Sequence, residues 1–340
     1  MIKLKTLAQG FMGGATRIGM AAAIVGAAVA AAPAGAQEPY PARNVRVVVP
    51  FTAGGGTDIV TRIFAQQLGD RLGKSFFVEN KAGGGGGSVG SLEVARAKPD
   101  GYTIGTGTSS GLLNAAVDPG GYDPLKELDP VARFGATTLV LIVNTKLPIK
   151  TLGEFVTYAK SKPGLAYGSS GTGSANHFTG EMLAKGAGVE LTHVPYRGES
   201  AAITDVVAGQ IASGFISVAL AKPYIQSGQV RALAVTTERR FPALPEVPTM
   251  EELGMKNIVV DAFYGLYAPK GTPPAVIDLL VKHVNEIRAS PEISKKLLEQ
   301  ISFDTSGTDN PKAFRAYMEK ELARYSKVAA DTGLVGMKTK

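Results

Sequence analysis

Val45 to Leu68 reads VRVVVPFTAGGGTDIVTRIFAQQL, and its three parts decide the architecture. A valine-rich strand runs into Gly54, Gly55 and Gly56, after which Thr57 or Asp58 opens a helix. Glycines let a ligand come close to the backbone, and the free amides at a helix start favour an anion. Ile59, Val60, Ile63, Phe64, Leu68 and Leu72 recur at helical spacing, which predicts a helix packed on the sheet by one face. A second unit of the same kind lies at Leu165 to Leu183, LAYGSSGTGSANHFTGEML, again strand, Gly/Ser/Thr turn and helix. Two facing anion cradles read as a clamp.

Outward from these units, short apolar strands alternate with helical stretches, the pattern of α/β architecture with largely parallel sheets. Strands are predicted at 45–51, 75–79 and 102–106, with a short helix around Leu92, which makes one βαβαβ half. Val131 to Asn144 (VARFGATTLVLIVN) and Ile258 to Ala268 (IVVDAFYGLYA) are long extended stretches, read as two crossings between lobes. Between them lie helices near 151–161, 175–183 and 201–208 and strands near Leu165, Leu191, Ile211 and Val230. Pro273 suits a helix start, and that helix runs to about Ala289. A last helix, 311–330, places Phe314, Tyr317, Leu322, Tyr325 and Val328 near one face.

At 340 residues, 44% hydrophobic and 19% charged, the chain has enough apolar sequence for two domains. Lys3, Lys5 and Arg17 precede an uncharged Ala/Gly-rich run that ends in Ala34-Gly35-Ala36, so residues 1–36 read as a cleaved secretory signal. No later segment approaches the roughly 20 apolar residues of a membrane span. Loss of those three charges takes the formal +7 to +4, and the remaining basic residues are scattered, with no interleaved aromatics. That is no nucleic-acid footprint. With no cysteine, disulfides, thiolate metal sites and a cysteine nucleophile are excluded.

Several motifs invite other chemistry and fail on spacing. Gly73-Lys74-Ser75 ends like a phosphate loop, but position 68 is leucine where that motif needs glycine. Gly85, Gly87 and Gly90 fit a dinucleotide fingerprint only because five glycines run together, and no acid follows at the required distance. Gly168-Ser169-Ser170-Gly171-Thr172 misses the nucleophile elbow at its last position. His177, His193 and His283 form no metal pattern, and no cofactor is expected. His177 has two readings, a cleft contact or a satisfied buried histidine. Arg197 follows a strand and could pair with a ligand carboxylate or serve a structural ion pair. Asp58 at an anion-binding helix start reads as a cap and an orderer of water.

Pro50-Phe51-Thr52-Ala53-Gly54-Gly55-Gly56-Thr57-Asp58, Lys98-Pro99-Asp100-Gly101-Tyr102-Thr103 and Tyr122-Asp123-Pro124-Leu125-Lys126 together resemble the solute receptors of tripartite tricarboxylate transporters, also called Bug receptors. Tyr167 to Ser174, His193-Val194-Pro195-Tyr196-Arg197-Gly198 and Phe263-Tyr264-Gly265-Leu266 extend the resemblance over nearly all of the chain beyond the signal. It implies a periplasmic, monomeric, non-enzymatic protein of type II-like Venus-flytrap fold, two α/β domains joined by two crossing strands. Residues 40–139 plus 263–340 would form one lobe and 140–262 the other. Such a receptor closes on a small carboxylate and hands it to the membrane permease subunits of the transporter.

Carried over, the resemblance places Phe51, Gly55, Gly56, Thr57 and Asp58 from the first loop at the ligand, with Ser109 and Ser110. The second loop adds Ser169, Ser170, Gly171, Thr172, Gly173, Ser174 and His177, and Tyr196, Arg197 and Gly198 complete the cleft. Ile211 to Ser217 carries no aspartate where many members do, which favours a dicarboxylate, tricarboxylate or aromatic carboxylate over an amino acid. Two rivals stand beside this reading. One is a ligand sensor feeding a sensor kinase; the other is a secreted α/β hydrolase using Ser170 or Ser174 with His177.

Overall fold

Four valines in five residues make β1 (Val45–Val49) a strand buried on both faces. It lies between β2 (Phe76–Asn80) and β3 (Thr103–Thr108) in parallel register, with Val47 opposite Val78 and Ile104. The computed structural model describes residues 39–256, 258–306, 310–331 and 333–336. The expected signal segment, 1–36, lies outside the described residues. Residues 39–42, the described part of a separate unit Met1–Ala42, contain no helix or strand, and everything below concerns the unit Arg43–Lys340.

α1 (Gly56–Leu72) follows the first glycine loop and buries Val60, Phe64 and Leu68 at four-residue spacing. It stops at Gly73, whose left-handed backbone (φ 70°) lets its N–H close on the Gly69 carbonyl. α2 (Ser88–Ala95), α3 (Ser109–Val117) and the short α4 (Pro124–Glu127) complete this part of the chain before the first crossing.

β4 (Leu128–Asn144) is the spine of the molecule, 17 residues long and so roughly 55 Å end to end. As far as Thr138 it pairs antiparallel with β9 (Asp261–Pro269), and β9 also pairs with β3. From Leu139 onward its partners are β7 (Ser213–Ser217) and β8 (Val230–Val235), both antiparallel. β5 (Leu165–Ser169) then pairs in parallel with β7 and with β6 (Leu191–Pro195). The sheet order is β2-β1-β3-β9-β4-β7-β5-β6, with β8 on β4 as well. The fold is a two-lobed α/β arrangement in which one strand serves both halves.

Parallel pairing, expected for most of the sheet, holds for β1, β2 and β3 and for β5, β6 and β7, while the crossing strands run antiparallel to their neighbours. Helices α5 (Leu152–Ser161), α6 (Ala175–Ala187), α7 (Glu199–Ala208) and α8 (Val218–Gln226) belong to the second half. α5 opens on a full capping box, Thr151 with Glu154. After β9 come α9 (Pro274–Ala289), α10 (Pro291–Ile301) and α11 (Pro311–Asp331). On α11 the buried stripe is Phe314, Met318, Glu321, Tyr325 and Ala329; Tyr317, Leu322 and Val328, expected on that face, pack at its margin. Among the described residues no helix is long and apolar enough to cross a membrane.

Candidate functional site

β1 delivers the chain to Phe51 and then to Gly55, which precedes α1 in extended conformation with no side-chain cap. The first amides of α1 are therefore left for another partner. Gly55, Gly56 and Thr57 line a small cavity of about 30 Å³ between the two halves. Asp58, one residue further, is buried but turned away from it: its carboxylate accepts from the Gly54 amide (2.9 Å), Arg62 Nε (3.0 Å) and Asn80 Nδ2 (3.0 Å). Burial works against its charge, but those three donors outweigh it and hold the carboxyl below the usual range. The acid thus caps the loop, and the anion-favouring helix start faces the cavity without it.

The same cavity receives three other helix starts. Ser109 and Ser110 open α3, where the Thr108 hydroxyl caps by accepting from the Ser110 amide. Ala175 and Asn176 open α6, and Glu199 opens α7. Ser170, from the second loop, lines the same cavity as Thr57 and donates to Asn176 Oδ1 (2.6 Å). Leu139, Ala262 and Tyr264 supply the rest of the wall from the crossing strands, with Thr108 from the end of β3. Four helix N-termini border this space, each favouring an anion, and the Gly56 amide at the first of them already meets the Glu199 carboxylate. Among the described residues no group of three or more His, Asp or Glu is placed to hold a metal.

Hydrogen bonds join the halves around this cavity. The Thr52 amide donates to the Arg197 carbonyl (3.3 Å), Gly86 to the Thr172 carbonyl (3.3 Å) and Ala175 to Ser110 Oγ (3.0 Å). Ser200 Oγ donates to the Ala53 carbonyl (3.3 Å). At about 0.5–1.5 kcal/mol each, such bonds hold the halves together only reversibly. Gly198 is the tightest approach: a Cβ there would stand 2.0 Å from Thr52 Oγ1.

Of the residues expected at the ligand, Phe51, Gly55, Gly56, Thr57, Ser109, Ser110 and Ser170 line the cavity. Gly171, Thr172, Tyr196 and Arg197 line a neighbouring opening shared with Phe51 and Ser170, a mouth to the same region. The Tyr196 hydroxyl is bound to Asp205 (2.6 Å), and Arg197 is exposed there. Asp58, Ser169, Gly173, Ser174, His177 and Gly198 line neither space. Ser169 Oγ instead bonds His193 Nε2 (2.6 Å), and Ser174 caps α6 by accepting from the His177 amide (3.3 Å).

His177 is a buried histidine with its needs met from within. Its Nδ1 accepts from the Gly173 amide (3.1 Å), and its ring stacks on His193 at 3.6 Å between centroids. Burial, and then the neighbouring His193, push its pKa down to about 3; burial pushes His193 down to about 4. Both rings are neutral near pH 7, and neither Ser170 nor Ser174 is hydrogen-bonded to the His177 ring.

Glu199, Asn176, Tyr264 and Ser217 were not singled out by sequence. Glu199 lies ahead of the helix expected at 201–208, which in the structure begins at Glu199 itself. Its place on the cavity depends on how α7 meets β7 and α1, which no local pattern encodes. Glu199 Oε1 accepts from Asn176 Nδ2 (2.7 Å) and the Ser217 amide (3.2 Å), and Oε2 from Ser217 Oγ (2.5 Å). Strand β7 carries no acid, as its sequence reads, yet Glu199 brings a carboxylate against it.

The family model for the tripartite tricarboxylate transporter family receptor matches residues 60–334. Protein BugT of Bordetella pertussis is 34% identical over 309 residues, covering 89% of this chain and 93% of that one. Among solved structures, the periplasmic binding protein BugD is 34% identical at a TM-score of 0.82, over 87% of this chain and 99% of that one. R. palustris Rpa4515 with adipate is 32% identical at a TM-score of 0.81, over 86% and 98%. MatC of Rhodopseudomonas palustris with bound malate is 30% identical at 0.80, over 85% and 99%.

Proposed function

This chain belongs to the tripartite tricarboxylate transporter receptor family, and from that premise we propose that it is an exported, periplasmic receptor that captures a small carboxylate between its lobes. The captured acid is a diacid of the adipate or malate kind, or an aromatic carboxylate, and is passed to the membrane permease subunits of a tripartite transporter. Residues 40–139 with 263–340 and residues 140–262 are the two lobes that close on it. The observation that carries the reading is the convergence of four helix N-termini on one interlobe cavity. Each helix start contributes a fraction of a kcal/mol to about 2 kcal/mol to holding an anion, and micromolar affinity needs about 8 kcal/mol. Several must therefore act together, and no single hydroxyl dominates.

A thermal-shift panel of small carboxylates tests this reading, since an acid at 100 times its dissociation constant stabilises the fold by about 2.7 kcal/mol. A shift with at least one diacid or aromatic acid is expected. A flat panel contradicts the reading.

Thr57→Ala and Ser170→Ala are each expected to weaken the responding acid about twofold to tenfold in calorimetry, the range of one lost hydrogen bond, without altering the folded far-UV spectrum. Unchanged affinity in both variants removes the two loops from the site.

A further inference from the structure

The Glu199 carboxylate sits on the wall of the proposed carboxylate cavity, at the first turn of α7. Its two oxygens already accept from Asn176 Nδ2, the Ser217 amide and Ser217 Oγ, and the Gly56 amide at the start of α1 acts on the same charge. A carboxylate has about four lone-pair sites, so no acceptor position is left for a ligand ammonium. The groups that face it are uncharged: Gly56 from α1, Asn176 from α6 and Ser217 ahead of α8. Among the described residues, the titratable neighbour interacting with it is the Tyr264 hydroxyl on β9, whose own pKa burial and Glu199 drive well above the usual tyrosine value. No cation among these neighbours offsets a second negative charge beside it.

Two carboxylates in one enclosed space do not both stay ionised without cost; the pair keeps a shared proton. We propose that Glu199 is the specificity-determining residue of this cleft, sharing the cavity with the incoming carboxylate so that capture takes up one proton and amino acids are disfavoured against diacids. The inference rests on the carboxylate reading above. Burial already favours the protonated form of Glu199, although Ser217, Asn176 and Gly56 pull the other way. The proton joins a Glu199 oxygen, and Ser217 Oγ, now a donor to Oε2, turns to accept from it.

The test is calorimetric titration of wild type and Glu199→Gln with adipate, malate and aspartate at pH 6 and pH 8, in two buffers of different ionisation enthalpy. Glutamine reproduces the protonated state: its oxygen accepts from Asn176 and the Ser217 amide, and its NH2 donates to Ser217 Oγ. Wild type is expected to take up one proton per diacid and to lose affinity about tenfold per pH unit above the Glu199 pKa, the slope of a one-proton linkage. Glu199→Gln is expected to show neither effect and to bind the diacid more tightly than wild type at pH 8. Diacid binding equal at both pH values without proton uptake overturns the inference and leaves the carboxylate reading standing. So does aspartate binding tighter than malate without proton uptake, because Glu199 would then pair with its ammonium. Binding of none of the three by either protein removes the carboxylate reading, and the inference with it.

Discussion

Gly198→Ala is expected to weaken carboxylate capture about tenfold to a hundredfold while moving the unfolding midpoint of the ligand-free protein little. The backbone at Gly198 is extended (φ 168°, ψ 165°), a conformation alanine adopts freely, so the effect comes from the added methyl alone. That methyl meets Thr52 Oγ1 at 2.0 Å, Thr52 Cβ at 3.2 Å and the Thr52 amide nitrogen at 3.3 Å. Rotation of the Thr52 hydroxyl, which is buried without a hydrogen-bond partner, relieves only the first contact. Overpacking of this kind costs about 1–3 kcal/mol. Thr52 and Gly198 belong to opposite lobes, so the cost falls on the closed arrangement and subtracts from ligand affinity at about 1.4 kcal/mol per tenfold. Titration with the acid identified by thermal shift checks it; affinity within twofold of wild type means the lobes do not close through this contact.

Phe314→Ala is expected to destabilise the fold by about 3–5 kcal/mol, the cost of emptying a fully enclosed aromatic site. Phe314 is 0% exposed on α11, edge-on to Phe263 (5.8 Å) and tilted against Tyr267 (5.6 Å). Its ring lies over Gly265 so closely that a Cβ there would be 2.4 Å from Cζ. The helix thereby presses on β9, the strand paired with both β3 and β4. Nothing at Gly265 can swell into the void. Urea unfolding of the ligand-free protein measures the loss, and a loss under about 1 kcal/mol would mean that α11 contributes little to the core.

The sequence was most legible where local chemistry and tertiary role coincide. Val45–Val49, the glycine loop and the start of α1 could be read because a valine run, an unbranched turn and an apolar stripe each have one reading. The long strands β4 and β9 were visible as apolar runs too long for an ordinary strand, although their antiparallel pairing was not. α3, α8 and α10 went unread as helices: Ser109–Val117 is buried throughout and so lacks a polar face, α8 carries Pro223 inside it, and α10 is parted from α9 by the single extended residue Ser290. His177 stayed ambiguous until its stacking on His193 placed it beneath the loop, away from the cavity. Glu199 escaped because its surroundings come from three elements distant in sequence, those of Gly56, Asn176 and Ser217. A carboxylate becomes unusual only when these surround it.

The most direct test is a crystal structure of the protein grown with the carboxylate that gives the largest thermal shift. The account expects a carboxylate group of that acid in the interlobe cavity, about 2.7–3.2 Å from backbone amides of Gly55–Thr57 on one side and from the Ser170 loop on the other. An acid bound outside that cavity, or held by one lobe alone, would contradict it.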